Sequence, residues 1–403
     1  MSRLVFSATA MIAGAAALVA QVPYGTSVVG VISNVAPGEG LYLADRLGNN
    51  TPVTGLVAAG SSNSNVNAVA FDPIDDRIWI TSTTSNQLNW IRISGTTVTQ
   101  FTQFGTGPAN SLSAVTFDDN ANPIICQGTA AGGIFRFDRR LGGAGVNIGT
   151  VATGTHNGVC RDGAGNIYTC MFGTGQVHVS LKNPDNSYQP PVLLGTTVTT
   201  SLSGITFAPT DGINPDELWL TTFGTAGNQM YKMPLVGGAG VPIANSLAGC
   251  NWIDYDRNAN DLLVATQAGT DRFVQVDRST GLDTLLSNIQ GGNAGVPAGN
   301  DVDDTAFAVT RVAPMILNGS TGPFDLELGT TAPVGSLALV GVAAPFVSVL
   351  GVGVVGLNGR ISVNLSNFIL MGPIAPGSLQ FIAVYFDASF NLVIGAPVSW
   401  PAL

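Results

Sequence analysis

Charge is what this sequence has least of. Asp, Glu, Lys and Arg make up 10% of its 403 residues, against about 25% in ordinary globular chains. The 15 basic residues form no run and the net charge is −10. Polyphosphate backbones reward clustered Lys and Arg, so no nucleic-acid partner is expected. Disorder is excluded too, because disordered chains are charged and poor in apolar residues, whereas 45% of this one is hydrophobic. Cysteine occurs four times, as Cys126, Cys160, Cys170 and Cys250, with no CxxC spacing, so a zinc site is not expected. Cys160 and Cys170 flank one expected hairpin as a diagonal pair; the alternatives are a disulfide there or four buried thiols. There is no GxSxG, no P-loop and no paired-carboxylate spacing. Gly142-Gly143 and Gly237-Gly238 read as connecting turns, since no helix follows them to cradle a phosphate.

The N-terminus sets the expected compartment. Met1-Ser2-Arg3 is a short positive stretch and Leu4 to Ala20 is an uncharged, Ala-rich run. That pattern reads as a signal peptide over 1–20, cleaved near Ala17 or after Ala20, on a protein that is secreted, periplasmic or displayed at the cell surface. The competing reading is a short membrane anchor. After cleavage no transmembrane segment is expected.

What the chain does have is a repeat. Five units begin at Asn67, Ser113, Asn157, Ser203 and Asn251, spaced 46, 44, 46 and 48 residues apart. Each opens with alternating residues, turns on Asp, Asn or Gly, and returns on a β-branched or aromatic strand, as in Arg77 to Ser82 and Glu217 to Thr222. That is a hairpin pattern. A third strand recurs around Trp90, Phe135, His178, Tyr231 and Val274, and a looser fourth around Leu193 and Leu285. Four strands per ~45 residues is the period of a propeller blade.

The N-terminal stretch supplies an incomplete sixth unit: Ser27 to Ile32 as second strand, Gly40 to Asp45 as third, Pro52 to Val57 as fourth. Its first strand is missing, and about 302–310 is the natural donor. Pairing the two ends of the chain removes both free sheet edges. The expectation is six blades over 21–311, with five or seven as alternatives. Asp301, Asp303 and Asp304 near the closure read as a solvated loop.

Beyond 311 the repeat stops. Residues 312–403 carry only Asp325, Glu327, Arg360 and Asp387 as charges. Alternating runs separated by turn signals point to an antiparallel β-sandwich. Val334 to Asn358 is uncharged and long enough for a membrane helix, but five Gly and Pro345 favour two or three buried strands. The fold class is therefore all-β: a six-bladed β-propeller with a C-terminal antiparallel β-sandwich. The uncharged second domain is the expected element of self-association or attachment.

The segment Asn157-Gly158, Asp162, Gly165-Asn166-Ile167-Tyr168 resembles the blade pattern of secreted NHL and gluconolactonase-like (SMP-30-like) propellers. Gly377 to Gln380 followed by Asp387 resembles a terminal β-sandwich of planctomycete-type secreted proteins. The lactonase-like resemblance implies a divalent metal, calcium for example, held by one Glu, two Asn and one Asp near the axis. Asn157 matches one Asn position, but Ser203-Gly204 stands at the second, Thr221-Thr222 replaces the Asp, and Glu39 precedes a third-strand pattern. Lyase-like propellers imply a catalytic His beside an acid, for which His156, at an inner-strand start, is the candidate; His178 lies farther out. Asp254 to Asp261 resembles the start of a calcium loop but lacks its Gly and Glu, and reads as a turn.

One regularity points to a surface. Asn67, Ser113, Asn157, Ser203 and Asn251 occupy equivalent positions, and equivalent positions converge around a propeller axis. They either satisfy backbone groups between blades or line a polar funnel for a neutral ligand such as a carbohydrate. The functional expectation is a non-enzymatic binding or cell-surface module, with a divergent metal-dependent hydrolase, lactonase or lyase as the alternative.

Overall fold

The computed structural model describes most of 27–288, the strand Asp301–Phe307 and the strands between 325 and 399. Residues 1–26, 289–300, 308–324 and 365–379 and several short loops are outside the description. The expected leader, Glu39, the Gly377 and Asp387 motif, and Asn258 and Asn260 fall there. Every regular element among the described residues is a β-strand, and no helix is long and apolar enough to cross a membrane.

Six sheets, each built on four antiparallel strands, make the six-bladed propeller. The inner strands of blades 1 to 5 are Ala68–Phe71, Leu112–Phe117, Thr155–Arg161, Leu202–Ala208 and Cys250–Asp256. Blade 6 closes the ring as expected: Asp301–Phe307 pairs antiparallel with Ser27–Ile32, Val28 facing Ala306. The acidic triplet therefore lies on a strand, not in a loop: Asp301 and Asp304 pair with Ile32 and Gly30, and the ladder passes over Asp303.

Burial falls from axis to rim. The second strands, such as Pro123–Gln127 and Glu217–Thr222, are buried along their whole length. They pack against neighbouring blades on both faces, so they read as continuous apolar runs. The outer strands, such as Val192–Thr196, are largely exposed. Apolar clusters cross blade boundaries; Cys160, Tyr168 and Val177 of blade 3 meet Ile205, Leu220 and Tyr231 of blade 4.

Three rim segments correct the sequence reading. The outer strand of blade 6 is Asn50–Pro52, two residues earlier than expected, because Thr54 already crosses to pair with Thr97 of blade 1. The two Gly-Gly turns are short strands: Gly143–Ala144 of blade 2 pairs in parallel with Gly105 and Thr106 of blade 1. Gly238–Ala239 of blade 4 pairs in the same way with Gly195 and Thr196 of blade 3. Each extends a neighbour's sheet and covers its edge.

Beyond the propeller, Asp325–Gly329 pairs with Arg360–Asn364. A five-stranded antiparallel sheet contains Leu337–Ala344, Ser348–Val354 and Gln380–Phe386. The uncharged stretch from Val334 to Asn358 thus holds two strands. Full burial does not extend to them: Leu337, Leu339 and Val352 share one face and are exposed.

Candidate binding site at the propeller mouth

The five repeat-start residues owe their orientation to a backbone irregularity. In blades 2 to 5 the ladder between inner and second strand skips one inner-strand residue. The skipped residues are Ser113, Asn157, Ser203 and Asn251. A bulge residue is left out of the ladder and its side chain is re-aimed. Asn67 sits at the matching place in blade 1, where its N–H donates to the Thr81 carbonyl at the ladder's end.

These side chains form a relay between blades. Asn67 Nδ2 donates to the Leu112 carbonyl at 2.7 Å and Ser113 Oγ to the His156 carbonyl at 2.8 Å. Asn157 Nδ2 reaches the Ser203 carbonyl at 3.4 Å, and Ser203 Oγ the Cys250 carbonyl at 2.6 Å. Each satisfies a carbonyl of the next inner strand, which would be costly to leave unpaired. Gly158 and Gly204, the next residues, are small for a packing reason. A Cβ on Gly204 would lie 2.7 Å from Thr221 Oγ1, and one on Gly158 3.0 Å from Cys170 Sγ.

Four of the five also line a cavity of about 220 Å³. Its walls are Asn67, Asn157, Ser203 and Asn251 together with Phe172, Phe223 and Trp252. Ser113 is not among them. The aromatic walls went unnoticed in the sequence. Phe172 ends the second strand of blade 3, and Phe223 directly follows that of blade 4. Both are part-exposed, at 40% and 46%, which is the available signal: an aromatic residue at a strand end where blade 2 carries Gly128. Among the described residues, no charged side chain lines the cavity.

His156 is not brought to the cavity. Its position precedes the bulge, where the other blades carry Val66, Leu112, Leu202 and Cys250, all buried. It points into the boundary with blade 2 and is 0% exposed. Neither ring nitrogen has a partner in good geometry. Burial lowers its pKa to about 4, helped by His178 and weakly opposed by the Gly132 backbone, so the ring is neutral at pH 7. His178, on the third strand of blade 3, is also buried and lowered by burial.

No three His, Cys, Asp or Glu side chains converge among the described residues. Divalent hard cations take carboxylate oxygens, and the described lining offers amides and a hydroxyl, so the carboxylates of the metal set implied by the lactonase resemblance are not found at the cavity among the described residues. The four cysteines are free and buried; burial pushes the thiols up, Cys170 to about 12, which leaves them un-ionised. The motif around Asp162 is a turn lock. Asp162 Oδ1 accepts from Ala164 N and Asn166 N, and Oδ2 from Asn166 Nδ2 and the Tyr168 hydroxyl.

No protein-family model and no curated protein matches the chain. Among solved structures it is similar to a protein assigned as a gluconolactonase, at 11% identity and TM-score 0.47, over 66% of this chain and 93% of that one. It is similar to a protein assigned as a 6-phosphogluconolactonase from Bacteroides uniformis, at 11% identity and TM-score 0.46, over 84% and 99%. A gluconolactonase from Xanthomonas campestris follows at 11% identity and TM-score 0.42, over 62% and 89%. The six blades themselves are given by the strand pairing of the chain.

Proposed function

We propose that this chain is a secreted, non-enzymatic binding module whose propeller mouth holds a small hydroxylated ligand, a neutral carbohydrate being the first candidate. One observation carries the reading: four repeat-start side chains and three aromatics line one cavity, with no charged side chain among its described residues. Its ~220 Å³ is below the roughly 300–1,000 Å³ of drug-sized pockets and suits one sugar ring. Aromatic faces stack on the C–H face of a sugar while amides meet its hydroxyls. In this reading the sparsely charged C-terminal region attaches the module to a cell-surface component or to a second copy.

Isothermal titration of the full chain with neutral mono- and disaccharides tests the proposal. Saturable binding that weakens at least tenfold in Asn157→Ala, with the melting temperature checked because the variant also loses a bond to Ser203, is the expected result. A flat titration across the panel would remove it. Asn157 on the cavity wall also favours the second reading, a divergent hydrolase or lyase. For that reading, turnover lost in Asn157→Ala and a melting temperature raised by calcium and lowered by EDTA are the required signs.

A further inference from the structure

A six-bladed ring has six bulge positions, and the repeat supplies five. The sixth is readable from the closing sheet. Gly30 pairs with Asp304 and Val31 with Val302, so the ladder skips Asp303. Ser113, Asn157, Ser203 and Asn251 are skipped in the same way at the start of their inner strands. Backbone register therefore places Asp303 in the ring of bulge residues, and it is the one member that can carry charge.

The other members are biased the same way. Asn67 and Asn157 each commit an N–H to a neighbouring carbonyl, and Ser203 commits its only hydroxyl proton. That fixes the orientation of both amides. It leaves two lone pairs on each Oδ1 and at least one on Ser203 Oγ, against one further N–H per amide. The described lining has no Lys or Arg, while three aromatic side chains, of a type whose face attracts a cation, line it: Phe172, Phe223 and Trp252. A carboxylate or phosphate would meet acceptors, aromatic faces and a net charge of −10.

We infer that Asp303 completes the ring and that the mouth selects a hydroxylated ligand bearing an ammonium group, an amino sugar, over its neutral and anionic counterparts. The inference rests on the mouth being a ligand site and sharpens the ligand class.

The test is calorimetric titration of the full chain at pH 7 with glucosamine, glucose, N-acetylglucosamine and glucuronate. These share a ring and differ in charge. Glucosamine is expected to bind about tenfold more tightly than glucose or N-acetylglucosamine, the scale of one close charge pair, with glucuronate weakest. Asp303→Asn should bring glucosamine down to the level of glucose and leave glucose unchanged. Phe172→Ala with Phe223→Ala, at two part-exposed positions, gives an independent variant in which the glucosamine advantage should shrink.

Glucuronate binding as well as glucose would overturn the charge assignment, as would a glucosamine preference that survives Asp303→Asn. Calcium that binds in an Asp303-dependent way and displaces glucosamine would overturn the ammonium assignment in favour of a metal. If none of the four sugars binds, it is the mouth as a sugar site that fails. If glucose binds without a glucosamine preference, only the present inference fails.

Discussion

At the scale of single residues, a buried neutral histidine makes the fold acid-sensitive. His156 titrates near pH 6.5 when unfolded and at about 4 when folded. Between those values the unfolded chain binds the extra proton, so stability present above pH 6.5 is lost as the pH falls toward 4. The loss amounts to about 3 kcal/mol at most. His156→Leu, matching Leu112 and Leu202 at the same blade position, should flatten the melting temperature between pH 7 and 4.5; an unchanged slope would place the acid sensitivity elsewhere. Two buried ion pairs are the other residue-scale dependence. Trp219 Nε1 donates to Glu217 Oε1 at 2.9 Å, and Arg278 of blade 5 donates to the same carboxylate at 3.1 Å. In blade 1, Trp79 and Arg139 share Asp72 in the same manner. Burial works to raise the Asp72 carboxyl, but Arg139, Arg77 and Trp79 together hold it below the ordinary range. Removing Arg278 leaves Glu217 with Lys232 at 3.8 Å as a weaker cation partner, so the loss is expected at or below the about 3–5 kcal/mol of a broken buried pair. Chemical denaturation of Arg278→Met should show that loss, and adding Glu217→Gln should recover part of it. The ring residues were legible in the sequence because they recur every 44 to 48 positions. Asp303 was not, because its strand belongs to a blade split between the chain ends. The depth of His156 could have been read from its apolar counterparts.

Elements behave as the alternation of their residues dictates. Second strands such as Ile78–Thr81 are buried throughout; outer strands such as Val192–Thr196 are largely exposed. The turns are held by a repeated Asp to Asn lock. Asp118 accepts from Asn122 N and Nδ2, as Asp162 does from Asn166. The rim straps of blades 2 and 4 share the run Gly-Gly-Ala-Gly-Val, at 142–146 and 237–241, and glycine is required for two separable reasons. Gly142 and Gly143 have φ of 63° and 84°, a region costly for residues with a Cβ. A Cβ on Gly142 would lie 2.4 Å from the Phe104 carbonyl oxygen, while one on Gly143 meets nothing within 4 Å. Gly143→Ala should therefore cost about 1–2 kcal/mol, the conformational term alone, and Gly142→Ala clearly more. Equal losses in denaturant titrations would show that the strap is not seated against blade 1. The strands were legible because their hydrogen bonds are local. The straps were not, because a two-residue parallel pairing with a preceding blade leaves no periodic trace.

At the scale of the molecule, the ring is closed by one strand from each end of the propeller. Val29 pairs with Thr305, and a proline there would remove an N–H from the ladder. Thr305→Pro should open the closure, shown by faster limited proteolysis in 27–56 and a lower, broader melting transition; unchanged protease resistance would mean that blade packing alone holds the ring. Alternation, turn chemistry and a period near 46 were enough to specify an all-β chain, the blade unit and the source of the closing strand, because each arises from bonds within one blade. What the residues in order could not reveal comes from bonds between blades. Neighbouring inner strands turn Asn67, Asn157 and Ser203 onto each other's carbonyls and yet leave them on a cavity wall. Phe172, Phe223 and Trp252 come from three different blades to face the same space. His156 sinks into a boundary, one residue away from Asn157 at the mouth. A bulge shifts side-chain direction without changing residue type, so that difference between the two positions was decided by tertiary packing.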